Sequence, residues 1–385
     1  MERHDQIVED IADRIRTFYK LEQPYRISHG SSSSTRPRHS PDAKTIDIGI
    51  LSQVISVDTN KKTCLVEPNV PMDRLVEATI PYGLIPPVVM EFPGITAGGG
   101  FSGTSGESSS FRHGFFNETV NFVEMILGNG DVVKASPGER GDLFHGAAGA
   151  AGTLGVTTLL EVRLVEAQRF FRWLLDDYSH TRTLYHALHA SRISDQFVVQ
   201  DLALPYDTAE EFISWVDSEL GIWPLWLCPL KETRMPTFHP VAAKGAEGSE
   251  ISQPMLNIGV WGWGPSNPEE FKTKNRALEE KLAEFGGRKW LYAHTHYTEK
   301  QFWELYDRSW YERLRERYFA TTLPTVYDKV KHVEMEPEEK SMEEGWSLRA
   351  LLHRWPIGGL YGMVLAFYSG DISLHRSATW KYKKE

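Results

Sequence analysis

The chain has 385 residues, enough for two or three domains with sizeable cores. At 41% hydrophobic and 24% charged residues it reads as globular, neither fibrous nor disordered. The 52 acidic against 42 basic residues leave a net charge of -10, which argues against nucleic acid or an anionic membrane as the main partner, a local basic patch excepted.

The first twenty residues lack the apolar core of a signal peptide. Their Ile7, Ile11, Ile15 and Phe18 fall on one helical face and predict a packed surface helix. A small-residue loop follows, "HGSSSST" from His29 to Thr35. "QVISVDTNKKTCLVEPNV" is a hairpin by composition, and "MDRLVEATIPYG" a helix ending at Gly83. Next comes "FPGITAGGGFSGTSGESSSFRHG", Phe92 to Gly114, with seven glycines. "NFVEMILGNGDVVKAS" predicts a second hairpin turning at Asn129-Gly130-Asp131. A third small-residue loop, "GAAGAAGTLGV" from Gly146 to Val156, leads into an alternating strand to Val165.

The rhythm then changes. "QFVVQDLALP" reads as strand, "TAEEFISWVDSEL" as helix, "PLWLCPL" and "MLNIGVWGW" as strands. "NPEEFKTKNRALEEKLAEFGG" is a helix capped by Asn267, "KWLYAHTHY" a strand and "TEKQFWELYDRSWYERLRERY" a helix. This β-α-β-β-α-β order is that of the ferredoxin-like split βαβ unit, so the fold class is α+β. The expected division is a front domain over 1–167, a sheet domain over 168–331 and a tail over 332–385. No stretch reaches the roughly 18 apolar residues of a membrane span. The nearest, Trp355 to Tyr368, contains three glycines and reads as a buried segment. Two cysteines, Cys64 and Cys228, cannot form a disulfide framework and suit a reducing compartment.

"GGGFSG" formally matches the dinucleotide fingerprint at Gly98, Gly100 and Gly103. That motif needs a buried strand before it and a helix opening at its third glycine. Here Pro86, Pro87 and Pro93 precede it and "TSGESSSFRHG" follows, a poor helix former, so the Rossmann reading fails. A flexible linker is the bland alternative. Repeated glycine allows close backbone approach to a ligand, and amide nests with Ser and Thr hydroxyls bind phosphate oxygens. Three such loops in one front domain suit a large, flat, diphosphate-bearing cofactor better than three linkers do.

The front domain resembles the two-subdomain FAD domain of the vanillyl-alcohol oxidase/para-cresol methylhydroxylase superfamily, in which three such loops hold the cofactor. Within it, "VEPNVPMDRLVEA", "GTSGESSSFRHGFF", "GDLFHGAAGAAGTLG", "FVVQDLALP", "PLWLCPL", "LYAHTHYTEKQFWELYD" and "LPTVYDKV" are similar, in order, to segments of the 24-dehydrocholesterol reductase (Delta(24)-sterol reductase, Diminuto-like) family. The resemblance runs from about residue 20 to 332. It implies a PCMH-type FAD-binding domain followed by a substrate, or cap, domain with a ferredoxin-like antiparallel sheet. Cofactor contacts are implied for Gly30, Ser31, Ser32, Ser33, Ser34 and Thr35 in the first loop. In the second they are Thr96, Gly98, Gly99, Gly100, Gly103, Thr104, Gly106, Glu107, Ser108 and Ser109, and in the third Gly152, Thr153, Gly155 and Val156. Glu107 reads equally as a flavin partner or a turn residue.

Two departures follow. Members that attach FAD covalently use a His in a G-G-H-S-like first loop, whereas here His29 precedes Gly30 and serines follow, so non-covalent FAD is expected. A substantial family stretch between "VRLVEA" and "RFFRWLLDD" is missing, because Ala167 and Gln168 run directly into Arg169, so the cap is shortened. The family's activity implies reduction of a C=C bond in the aliphatic side arm of a sterol-like substrate, NADPH being the electron donor. It implies a cytoplasmic protein without the N-terminal span of membrane-anchored members, with peripheral association to the endoplasmic reticulum membrane left open. Apolar cap candidates are Trp223, Trp226, Trp261, Trp263, Trp290 and Tyr292, though tryptophans in strands are more often core. Proton-donor candidates are His294, Tyr327 and Lys329, with His296 beside His294 on one face of the expected strand. No third ligand stands at metal-site spacing, so no metal is expected. Cys228 reads as a small buried residue. The rival functions are an FAD oxidase of an alcohol or sugar, and a catalytically impaired flavoprotein with a truncated cap.

Overall fold

The computed structural model describes residues 1–29, 44–90, 92–107, 109–167, 197–231, 238, 240 and 254–331. Gly30, Ser31, Ser32, Ser33, Ser34, Thr35 and Ser108 lie outside the described residues, as do the apolar stretch 355–368 and the rest of the tail.

Helix α1 (Glu2–Lys20) buries Val8, Ile11, Ala12 and Ile15, with Ile7 and Phe18 packed at the edge of that stripe. Its one buried polar residue is His4, whose Nδ1 meets Glu67 Oε1 at 2.9 Å and whose Nε2 meets Glu124 Oε1 at 3.1 Å. Burial draws the His4 pKa down, but the two carboxylates outweigh it and hold the ring at about 9. The charged ring therefore clamps α1 onto the sheet beneath.

Strand β1 (Arg26–Ser28) pairs in parallel with β2 (Thr45–Asp47). Strands β3 (Val54–Asp58) and β4 (Thr63–Val66) form the first predicted hairpin, whose turn is held by Asp58 Oδ1 accepting from the N–H groups of Asn60 and Lys61. Helix α2 (Met72–Thr79) runs through a short 3₁₀ turn to Gly83, whose φ of +72° a β-carbon would disfavour. After β5 (Leu84–Ile85) come two short helices, α3 (Ala97–Ser102) and α4 (Ser110–His113). Strands β6 (Val120–Ile126) and β7 (Val132–Ala135) form the second predicted hairpin; α5 (Gly141–Ala147), β8 (Val156–Arg163) and β9 (Val165–Glu166) complete the front. Its sheet has the order β3-β4-β8-β6-β7, antiparallel throughout.

The second unit is β10 (Phe197–Pro205), α6 (Tyr206–Leu220), β11 (Trp226–Leu230), β12 (Met255–Trp263), α7 (Pro268–Glu284) and β13 (Arg288–Lys289). Its sheet order is β11-β12-β10-β13, all antiparallel, as the βαββαβ pattern requires. Asn267 caps α7 by accepting from the N–H groups of Glu269 and Glu270. Strand periodicity splits β10 in two. Val198, Leu202 and Leu204 pack under α6 and α7 with Phe212, Val216, Leu278 and Leu282, while Val199, Asp201 and Ala203 take the opposite face.

Two expectations are corrected. The strand predicted through Tyr297 ends at Lys289. The Lys289 ammonium donates to Glu279 Oε1 at 2.7 Å and to the His294 carbonyl at 2.5 Å, and the N–H of His296 donates to the same carboxylate. Residues 290–297 therefore wrap around Glu279 instead of continuing the sheet, and the shared strand face of His294 and His296 is lost. The long helix predicted after Thr298 is two, α8 (Glu299–Leu305) and α9 (Arg308–Arg317). Asp307 starts the second by accepting from Trp310 N–H at 2.8 Å. Helix α10 (Val326–Val330), capped by Thr325, closes the described part of the fold. Phe302, Tyr311, Leu314, Val326 and Val330 from these helices share one core with α1 and the front sheet, so the backbone returns to its first half.

Candidate active site

The second glycine loop is not a free loop. Thr96 Oγ1 accepts from Gly99 N–H at 3.1 Å and starts α3, so Gly98, Gly99 and Gly100 are helical. Several of these glycines are dictated by packing. A β-carbon would stand 2.7 Å from Pro68 at Gly98, 2.5 Å from Met90 Cε at Gly100 and 2.7 Å from the Phe115 ring at Gly106. At Gly103 it would meet the Gly99 carbonyl at 2.9 Å. The other side of the segment stays accessible. Gly99 is exposed, and Gly98, Ser102, Gly103, Gly106, Glu107 and Ser109 are half-buried, while Thr96 and Thr104 are buried. What faces outward is thus a strip of backbone and short hydroxyls.

The third loop lies alongside. Ala151 N–H donates to the Ser102 carbonyl at 3.1 Å, tying it to the end of α3. Gly152 adopts φ +70°, and a β-carbon there would come 2.8 Å from Ile27 on β1, the strand that leads into the first loop. The second and third small-residue loops therefore lie together, with the end of β1 beside them. Thr153 is buried: its hydroxyl donates to the Ala150 carbonyl at 2.7 Å and accepts from Tyr311 at 2.7 Å. Gly155 and Val156 are buried at the start of β8. Of the third loop, Ala151 and Gly152 remain half-buried and available.

The helix-free face of the cap sheet lies against this cradle. Trp290 Nε1 donates to the Thr104 carbonyl at 3.0 Å, and its ring lies 5.8 Å from that of Phe115. Cys228 contacts the Glu107 carbonyl at 3.6 Å, and Phe92 stacks on Trp261 at 5.3 Å with 5° between the planes. Of the expected cap aromatics, Trp290 is core; Trp223, Trp226 and Trp263 are exposed. Cys228 is buried; burial pushes its thiol pKa up, and the carboxylates of Glu107 and Asp201 add to the effect. Asp201, in the middle of β10, accepts from the Tyr292 hydroxyl at 2.7 Å and from Asn257 Nδ2 at 3.4 Å. Burial raises its pKa against the opposing bonds from Tyr292 and Asn257. The sequence reading missed this residue. Its signal was there: a lone acid in "FVVQDLALP", on the face opposite Leu202 and Leu204.

The three nominated proton donors are placed differently. The Tyr327 hydroxyl donates to the Tyr297 carbonyl at 3.1 Å, and burial raises its pKa. Lys329, half a turn along α10, reaches across to the third loop and donates to the Ala151 carbonyl at 2.6 Å. His294 stands beside α10, because Thr295 N–H donates to the Val330 carbonyl at 2.9 Å. The structure thus gathers all three around α10, on the third-loop side of the cradle.

Comparison with known proteins settles the class. Residues 6–136 match the FAD binding domain family. The protein is an FAD-dependent oxidoreductase. This oxidoreductase is 22% identical to the human Delta(24)-sterol reductase, an alignment covering 85% of this chain and 86% of that protein. It is 23% identical to the Arabidopsis thaliana Delta(24)-sterol reductase over 74% of this chain and 76% of the relative. A shorter match, 32% identical over 40% of this chain and 27% of the relative, is to cytokinin dehydrogenase 9 of rice. The human alignment is 454 residues long, more than the 385 present here, so the relative carries stretches that this sequence lacks. The small-residue surfaces fit the group the family binds: Gly99 is exposed and Gly98, Gly103 and Gly152 are half-buried, which lets a ligand approach the backbone closely, and Lys329 stands beside the third loop. No helix among the described residues is long and apolar enough to cross a membrane.

Proposed function

We propose that this oxidoreductase reduces a C=C bond in the aliphatic side arm of a sterol-like, apolar substrate, with NADPH as electron donor and FAD held non-covalently. The observation that carries the reading is the seating of the helix-free cap face directly on the second glycine loop, through Trp290 on Thr104 and Cys228 on Glu107. A substrate lying on that face lies at the cofactor cradle. Similarity to enzymes named Delta(24)-sterol reductase supports the substrate class.

The first loop, Gly30 to Thr35, would hold the diphosphate together with the outer faces of Gly98, Gly99 and Gly152, and Lys329 would offset its charge. Glu107, Ser108 and Ser109 would lie toward the flavin ring. When bound, the flavin supplies the hydride. The protein binds the alkene against apolar and aromatic surface, keeps water from the ring and provides a proton.

The experiment is anaerobic reduction of the purified flavoprotein by NADPH. Bleaching of the flavin band, restored by a Delta(24)-sterol, is the expected result. Restoration by air alone would replace the reading with an alcohol or sugar oxidase. Flavin that stays with acid-precipitated protein would overturn the non-covalent assignment.

A further inference from the structure

The helix-free face of the cap sheet carries a carboxyl with no counter-ion among the described residues. The partners of Asp201 there are neutral: the Tyr292 hydroxyl at 2.7 Å and Asn257 at 3.4 Å. Its fold-mate Glu279 shows the alternative, a carboxylate buried against the Lys289 ammonium at 2.7 Å. A carboxyl taken from water without a cation favours its protonated form.

Position adds to chemistry. In the sheet register Asp201 stands opposite Gly259, where a β-carbon would come 2.9 Å from its Oδ1, so the glycine leaves room for the acid. Gly259 in turn faces Trp226 on β11; two residues along that strand, Cys228 touches the Glu107 carbonyl of the second glycine loop. Asp201 as a residue is half-buried, and its carboxyl lies deep against the two neutral partners. Among the described residues, Tyr292 bonds Asp201 directly, and the Cys228 thiol lies close enough to feel both Asp201 and Glu107. The nominated donors differ in setting: the Tyr327 hydroxyl and the Lys329 ammonium donate to the backbone carbonyls of residues 297 and 151.

We propose that Asp201 is the acid that protonates the alkene, with Tyr292 as the residue that positions it. This rests on the reductase reading above. One alkene carbon takes the proton from the Asp201 O–H, whose bonding pair stays on the carboxylate. A bound reduced flavin would supply hydride to the other carbon and be left oxidised, with NADPH as the reductant that would restore it. The π pair becomes the new C–H bond to the proton, and the carboxylate regains its proton from water.

The near-isosteric Asp201→Asn is the decisive variant. It is expected to retain FAD, to be bleached by NADPH at the wild-type rate, and to lose alkene-driven reoxidation by about 10²-fold or more. Asp201→Glu is expected to recover part of that loss. Tyr292→Phe removes a bond that favours the charged form, so the alkaline limb of the pH–rate profile should move to higher pH. A readout independent of turnover is the infrared carbonyl band of a protonated carboxylic acid at neutral pH, present in the wild type and absent in Asp201→Asn. Reoxidation of Asp201→Asn at the wild-type rate, or a wild type without that band, overturns the assignment while leaving the reductase standing. A wild type that is bleached by NADPH yet reduces no Delta(24)-sterol overturns the reductase reading and the donor role together.

Discussion

On the helix-covered side of the cap sheet Glu279 meets Lys289 at 2.7 Å, whereas on the opposite side Asp201 meets Tyr292 and Asn257. The first carboxylate also accepts from Thr295 and His296, so it fixes the path of residues 290–297. That path sets Trp290 on the glycine loop and Tyr292 on Asp201. The second carboxyl has neutral donors only, and burial raises its pKa. One pair organises the site and the other face does its chemistry. The difference lies in the partner, since both groups are largely removed from water.

The largest expected effect comes from breaking the locked pair. Glu279→Ala leaves the Lys289 ammonium buried and unpaired, and should cost roughly 3–5 kcal/mol in urea unfolding. A loss near zero would show that residues 290–297 hold their path without it. Next is the corresponding charged lock in the front domain, His4 between Glu67 and Glu124. Its folded pKa of about 9 lies above the unfolded 6.5. Its contribution is therefore fully present below pH 6.5 and is lost as pH rises through about 9. The stability gap between wild type and His4→Gln should be up to about 3 kcal/mol below pH 6.5, shrink as pH rises from there and be nearly gone above pH 9.

Trp290→Phe keeps the aromatic contact with Phe115 but strands the Thr104 carbonyl, at an expected cost of about 1–3 kcal/mol. If the cap face is seated on the cradle by this bond, flavin affinity should fall as well, read by fluorescence titration. The smallest stability effect is expected at Gly99→Ala, where the added carbon meets only Thr96 Oγ1 at 3.1 Å and Ile95 at 3.9 Å. Unfolding energy should change by less than about 0.5 kcal/mol. Flavin retention should nonetheless drop, because the exposed side of Gly99 lies on the cradle. Unchanged retention would move the cofactor away from this side of α3.

Much of the fold was legible because it is written in local patterns. The amphipathic stripe of α1, the two front hairpins and the βαββαβ order of the cap followed from periodicity and turn residues. The failures share a cause. The strand after Lys289 stops because a carboxylate ten positions away in sequence holds the Lys289 ammonium and captures the amide of His296, and no periodicity reports that. At Gly98, Gly100 and Gly106 the packing of Pro68, Met90 and Phe115 leaves no room for a β-carbon, a constraint that loop composition does not report. Asp201 was overlooked because an acid in an apolar strand has no meaning until the opposite strand and the loop beneath are known.

By itself the sequence determined the order of elements, the three small-residue loops and, through segment resemblance, the flavin class of the protein. These depend on interactions within a few residues or on motifs that survive as short strings. Only the tertiary structure decided which loops meet, which side of each glycine is free, and that Asp201, Tyr292 and Cys228 gather over Thr104 and Glu107. Such contacts join positions up to 186 residues apart, and they exist only once two sheets have packed.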